Sequence, residues 1–267
     1  MKRSAGKILF GTNIGRMFLI FWIGSAALIT ARIVFEVKTV LRGSTIICRG
    51  KSYDYIFHVP PGFQQAGYRY PLLIYLHGAG ERNRSIHRLS RADLVSYADH
   101  VARSSDFPFL VVCPKTDRPF WEPDRVIALL DELLSNEQLR WKIDPNRVYL
   151  TGYSMGGFGT FSVASEYPDR FAAIVPVAGG GDPLKADHFA RLPVWSFHGE
   201  LDEAVLCECS VKMLEALWSR FPDHTEDYRL TVYPDADHGI PKQVYGDPAL
   251  YRWLLRHRRE AGPIPSP

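Results

Sequence analysis

The stretch RVYLTGYSMGGFGTFSVASEYPDRF, Arg147–Phe171, decides the fold. Strand-forming residues run from Arg147 to Thr151, meet Gly152-Tyr153-Ser154-Met155-Gly156-Gly157, and give way to a helix-like pattern. A serine held at a strand-to-helix turn needs small neighbours, because strand and helix approach closely there and the turn residue adopts a strained backbone. The arrangement lifts the serine hydroxyl into a cleft at a helix N-terminus, where backbone N–H groups can meet an anion. Gly152–Gly156 is G-x-S-x-G in that context; without the flanking strand and helix it would be only a glycine-rich loop.

The surrounding sequence supplies the rest of such an architecture. YPLLIYL (Tyr70–Leu76) and FLVVCP (Phe109–Pro114) are short continuous apolar runs, as expected of strands covered on both faces. STIICRG and YDYIFHVPPGF precede them as two further strands, and FAAIVPVA, PVWSFH and YRLTVYP follow. DRVIALLDELLSNEQ places Val126, Leu129, Leu130, Leu133 and Leu134 at helical spacing, with Asp124 positioned to cap the helix. MGGFGTFSVASEY, CECSVKMLEALWSRF and DPALYRWLLRHRR read as three more helices. Strands alternating with helices predict an α/β protein with a mostly parallel, doubly covered sheet in one domain, 36–258, followed by a disordered tail, 259–267.

Composition narrows the function classes. The chain has 267 residues, 46% of them hydrophobic, enough for one sizeable core. The net charge of +3, with no Lys/Arg run interleaved with aromatics, gives no reason to expect a nucleic-acid partner. Of four cysteines, Cys48 and Cys113 fall in strand-like runs as buried thiols. Cys207 and Cys209 are too close in sequence for an unstrained disulfide and lack the partners of a zinc site. The N-terminus differs from the rest: Lys2, Arg3, Lys7 and Arg16 precede the uncharged run Met17–Ala31. A basic flank followed by an apolar run predicts a signal peptide or signal-anchor helix over 1–35. On this reading the remainder is exported to the periplasm or the exterior, tethered to the membrane through 17–35 if the segment is uncleaved.

A serine nucleophile needs a base, and the base needs an orienting carboxylate. In this architecture the chain order is Ser, then Asp or Glu, then His, with the last two after later strands. PVWSFHGELDEAV offers Asp202 after its strand, flanked by Glu200 and Glu203. YRLTVYPDADHGI offers His238, beside Asp235 and Asp237. The amide of Met155 is the expected first donor to an oxyanion. IYLHGAGERN supplies the second, from Ala79 or, failing that, Gly80. His77 is expected to brace that loop rather than bind a ligand; His58 sits in a strand and His257 ends a basic helix. Trp121, Tyr153 and Glu81 are candidate substrate contacts. Arg82, Arg84, Arg88 and Arg91 are read chiefly as a solvated loop and helix face, with steering of acidic substrates as the sharper alternative.

Assembled, these pieces resemble the α/β-hydrolase superfamily, within it the bacterial carboxylesterase/phospholipase-like and prolyl-oligopeptidase-like serine hydrolases related to polyhydroxybutyrate depolymerases and feruloyl esterases. LHGAGERN, DPNRVYLTGYSMGGFGT, YPDRFAAIVPVAGGGDP, PVWSFHGELD, YPDADHG and DPALYRWLLRHRR carry the resemblance, in order, over most of 55–258. It implies Ser154 as nucleophile, Asp202 as acid and His238 as base, with no cofactor and no metal. The chain departs from such relatives in reading EAVLCECS after the acid, where a proline-containing segment is usual, and in placing Asn83 where glycine is usual. Few residues separate Ser154, Asp202 and His238, so no large lid domain is expected. The cleft should be open between the 81–107 segment and the loop of Phe120 and Trp121. The resulting expectation is a hydrolase of carboxylic esters acting on a small-molecule or polymer-borne ester; a small serine peptidase and a non-catalytic tethered binding module are the alternatives.

Overall fold

The computed structural model describes residues 39–40, 45–60, 63, 67–101 and 107–259; the expected N-terminal helix, and the expected tail beyond Arg259, lie outside the described residues. Among the described residues, nine strands form one sheet: β1 (Thr39–Val40), β2 (Thr45–Arg49), β3 (Asp54–His58), β4 (Tyr70–Leu76), β5 (Leu110–Pro114), β6 (Ile143–Tyr153), β7 (Ala173–Val177), β8 (Val194–Gly199) and β9 (Tyr228–Tyr233). Their order is β1-β2-β3-β5-β4-β6-β7-β8-β9. The first pairings, β1–β2, β2–β3 and β3–β5, are antiparallel, and every pairing from β5 through β9 is parallel. The helices are α1 (Asp93–Val101), α2 (Pro123–Ser135), α3 (Met155–Glu166), α4 (Glu208–Arg220), α5 (Pro241–Gly246) and α6 (Pro248–Leu254).

The continuous apolar runs are strands because both of their faces are covered. Every residue of β4 and of β5 is buried. On one face Leu73, Tyr75, Val111, Cys113, Tyr149 and Val175 join Val95 of α1, Tyr245 of α5 and Trp253 of α6 in a single apolar cluster. Cys48 and Cys113 are buried thiols, and burial pushes the Cys48 thiol up to about 12.

Three boundaries differ from the sequence reading. β6 starts at Ile143 rather than Asn146, because Tyr70 pairs with Ile143 across a register shift that accommodates Pro145, which has no N–H for a regular ladder. Helix α2 starts at Pro123 with Glu122 at its N-cap. Asp124 therefore sits inside the first turn and accepts a hydrogen bond from Tyr167 Oη instead of capping. Proline, pre-set for the first helical position, moved the boundary. The C-terminal helix is shorter than read, ending at Leu254, and is preceded by α5, whose six residues are too few to show a period.

The segment between Ser154 and Asp202 is used up by α3, β7, a 3₁₀ turn at Pro183–Phe189 and β8, which leaves no room for a lid domain. Stability should rest on the central strands. Ile74→Ala, at a fully buried β4 position, is expected to lower the unfolding free energy by about 2–5 kcal/mol, measured from urea midpoints at unchanged slope.

Candidate active site

Ser154 is the residue between β6 and α3. Its φ of +58° and ψ of −118° lie where a residue with a side chain is strained. The surroundings enforce the conformation: the Ser154 amide donates to Val177 O at 2.9 Å, and its carbonyl accepts the Phe158 amide at 3.1 Å. The flanking glycines are required by contact distance. A Cβ on Gly156 would lie 1.8 Å from Leu76 O, and one on Gly152 would lie 2.3 Å from Gly156 O. No side chain fits where α3 rests on the end of β4.

His238, on the turn after β9, reaches both partners. Its Nε2 is 2.9 Å from Ser154 Oγ and its Nδ1 is 2.6 Å from Asp202 Oδ2. Asp202 is 3% exposed, while Glu200 and Glu203 point to solvent. Asp202 Oδ1 accepts from the amides of Ala204 and Val205 at 2.9 and 2.8 Å. Burial alone would raise this carboxyl's pKa. The Val205 amide, His238 and the Ala204 amide outweigh it and hold the group below its ordinary value, as a carboxylate. These amides hold the loop after β8, which reads EAVLCECS, against the carboxylate. Tyr153 Oη donates to His238 O at 2.8 Å, and its ring lies 4.9 Å from the imidazole. Asp237 is turned away, accepting from the Gly239 amide.

The loop after β4 is braced as expected by His77, which is fully buried. Its Nδ1–H donates to Gly78 O at 2.8 Å, and its Nε2 accepts the Thr116 amide at 3.1 Å. These partners require the neutral Nδ1–H tautomer. Burial accordingly pushes its pKa down. Ala79 and Gly80 follow, exposed, in a 3₁₀ turn at Ala79–Glu81. Asn83 has φ +54°, a left-handed conformation that favours glycine, and its amide donates to Asp117 Oδ1.

Two cavities are lined by the residues on either side of Ser154, one by Met155 and the other by Tyr153. One, about 750 Å³, is walled by Phe120, Trp121, Met155, Phe158, Phe161 and Phe189. The other, about 220 Å³, is bordered by Gly80, Glu81, Arg88, Arg91 and Tyr153. Trp121 therefore lines the larger cavity, but its indole N–H is committed to His77 O at 3.1 Å. Tyr153 and Glu81 border the smaller one, where Glu81 pairs with Arg88 at 3.4 Å. Arg84, Arg88 and Arg91 are exposed. Among the described residues, no group of three or more His, Cys, Asp or Glu side chains is placed to hold a metal ion. The sequence reading did not anticipate the Tyr153 brace on His238, nor His198, four residues before Asp202 and 3.4 Å from its Oδ2.

A crystal structure of a thermostable esterase superposes with a TM-score of 0.64 at 26% identity, covering 80% of this chain and 63% of that one. The chain belongs to the α/β-hydrolase superfamily. The dienelactone hydrolase family matches residues 118–245 of this α/β-hydrolase chain. The feruloyl esterase module from Clostridium thermocellum shares the fold, with a TM-score of 0.60 at 18% identity over 82% of this chain and 91% of that one. Poly(3-hydroxyalkanoate) depolymerase C of Paucimonas lemoignei is 31% identical over 137 residues, 46% of this chain and 30% of its own. The chain spans less than half the length of the curated relatives it matches.

Two predictions follow from this geometry. Gly156→Ala should destabilise the protein by about 3 kcal/mol or more. Gly80→Ala, with no atom within 4 Å of the added methyl, should stay within about 0.5 kcal/mol of the parent in the same melts. His77 also sets a pH dependence. Its folded pKa is depressed, so the unfolded chain binds the proton more readily. The stability it contributes is complete above the ordinary histidine value of about 6.5 and is lost as pH falls from there toward the folded value. Denaturation between pH 7.5 and 5.5 should show this loss, and His77→Gln should flatten it. His257, also pushed down by burial, adds a slope of the same sign.

Proposed function

We propose that the protein is a serine hydrolase of carboxylic esters working through an acyl-enzyme intermediate. The observation that carries this reading is the single imidazole of His238 spanning Ser154 Oγ at 2.9 Å and Asp202 at 2.6 Å, with the serine on a strained turn at a helix start. Ser154 Oγ attacks the ester carbonyl while His238 Nε2 takes its proton. Asp202 keeps the other ring nitrogen protonated and stabilises the imidazolium as it forms. The Met155 amide, at the first position of α3, has no partner within its helix and is placed to donate to the oxyanion, with Ala79 or Gly80 as second donor. His238 returns its proton to the leaving alkoxide. It then deprotonates a water that attacks the acyl carbon and releases the acid.

The aromatic lining of the cleft supports the ester reading. Its larger cavity is walled by four phenylalanines and Trp121 and opens beside Met155 without a lid domain, which suits an ester carrying a bulky apolar group or exposed on a polymer. Esterases recur among the relatives, including the polyester depolymerase.

The test is labelling of the full chain by a fluorophosphonate, alongside hydrolysis of p-nitrophenyl esters and of peptide amides. The parent should be labelled and should cleave the esters. Ser154→Ala and His238→Ala should abolish labelling, and Asp202→Asn should lower kcat by roughly 10⁴ through the wrong tautomer. A folded parent that resists the probe overturns the hydrolase reading, and faster cleavage of peptides than of esters replaces it with the peptidase.

A further inference from the structure

His198 is a buried titratable group that this mechanism does not use. It lies on β8 with no exposed surface. Its Nε2 is 2.8 Å from Val205 O, a carbonyl that can only accept, so Nε2 carries a proton. Its Nδ1 is 2.7 Å from Ser210 Oγ, and Ser210 Oγ is 2.6 Å from Gly179 O, again a carbonyl that can only accept. Ser210 has one hydroxyl proton. If it points at His198, the two oxygens stand 2.6 Å apart with no proton between them. If it points at Gly179 O, Nδ1 must supply the proton in its own contact. Ser196 Oγ, 3.2 Å away, can donate to Ser210 but cannot supply the Gly179 contact. All three contacts are satisfied together only when both ring nitrogens of His198 are protonated. A carboxylate stands ready to balance that charge: Asp202 Oδ2, 3.4 Å from His198 Nε2, is the same oxygen that accepts from His238.

We propose that His198 is a positioning residue for the proposed triad, a buried imidazolium that shares the Asp202 carboxylate with His238 and ties the acid loop to β8 through Val205 O. It touches neither substrate nor nucleophile. Its charge draws on the oxygen that would otherwise act on His238 alone, and so weakens the hold of Asp202 on His238. Other groups facing Asp202 do not compete for this role. Burial pushes Tyr153 up to about 12 and raises the Cys207 thiol, leaving both uncharged. Glu200, Glu203, Glu208 and Asp237 are exposed.

The inference rests on the serine-hydrolase reading for its kinetic test and on spectroscopy for an independent one. His198→Gln removes the charge and keeps a donor for Val205 O; Ser210→Ala removes the Nδ1 acceptor with little change in packing. In kcat/KM against pH, the acid limb of His198→Gln should move up by about one pH unit. That is about a tenfold loss on the acid side, with a smaller loss on the plateau. Ser210→Ala should move the limb the same way by less. An equal loss at every pH with the limb unmoved is the signature of a purely structural residue and overturns the proposal. If His198→Gln does not fold, ¹H–¹⁵N spectra of histidine-labelled parent at pH 7.5 decide. One buried ring should show both N–H groups, one of them perturbed in Ser210→Ala; a single N–H on that ring overturns the proposal. A parent unreactive to fluorophosphonate sinks the hydrolase reading alone and leaves the spectroscopic result standing.

Discussion

The structure depends on one steric constraint: the start of α3 must sit against the end of β4 with no side chain between them. Gly156 has the Leu76 carbonyl where its Cβ would be, and Gly152 has the Gly156 carbonyl. Only then can the chain reverse at Ser154 with φ at +58°, a conformation costing of order 1–3 kcal/mol that the surrounding sheet must sustain. The completely buried β4 and β5 provide that support, because the register of a strand covered on both faces cannot relax to relieve a turn at its end.

The other parts of the site hang from the same end of the sheet. Asp202 follows β8, His238 follows β9 and the His77–Gly80 loop follows β4, so parallel pairing delivers all of them to one edge. The polar groups brought there are buried with their partners supplied. The Asp202 carboxylate has two amides and an imidazole, and His77 has one carbonyl and one amide in a single tautomer. Removing either partner would leave a buried polar group unsatisfied, which costs more than the bond itself contributes. Ser154, His238 and Asp202 are already in hydrogen-bond contact with one another.

The larger cavity contrasts with this polar edge. Phe120 and Phe158 remain substantially exposed, while Trp121 is nearly buried and tied to the loop through His77 O. Trp121 thus serves both the loop and the wall, while Phe120 and Phe158 give the wall its exposed apolar surface.

Much was legible in the sequence because it was encoded locally. Small residues around Ser154 have a steric reading, continuous apolar runs have a burial reading, and chain order after a nucleophile elbow points to Asp202 and His238. Boundaries set by a single proline, at Pro123 and Pro145, were misplaced because periodicity does not register them. The meaning of Asn83 emerged only with its backbone angle. Which of Glu200, Asp202 and Glu203 meets His238 was decided by the loop, since only the tertiary structure sets which carboxylate turns inward and receives the Ala204 and Val205 amides. His198 is the clearest case. Its spacing from Asp202 is visible in FHGELD, but its contacts with Val205 O and Ser210 Oγ, and the one from Ser210 to Gly179 O, join β8 to the loop after it, to α4 and to the turn after β7, and such contacts follow no sequence period. The sequence by itself determined the sheet, the strained turn and the chemistry available at its end; the tertiary structure decided which groups share a carboxylate, because burial and proton count are properties of the packed whole.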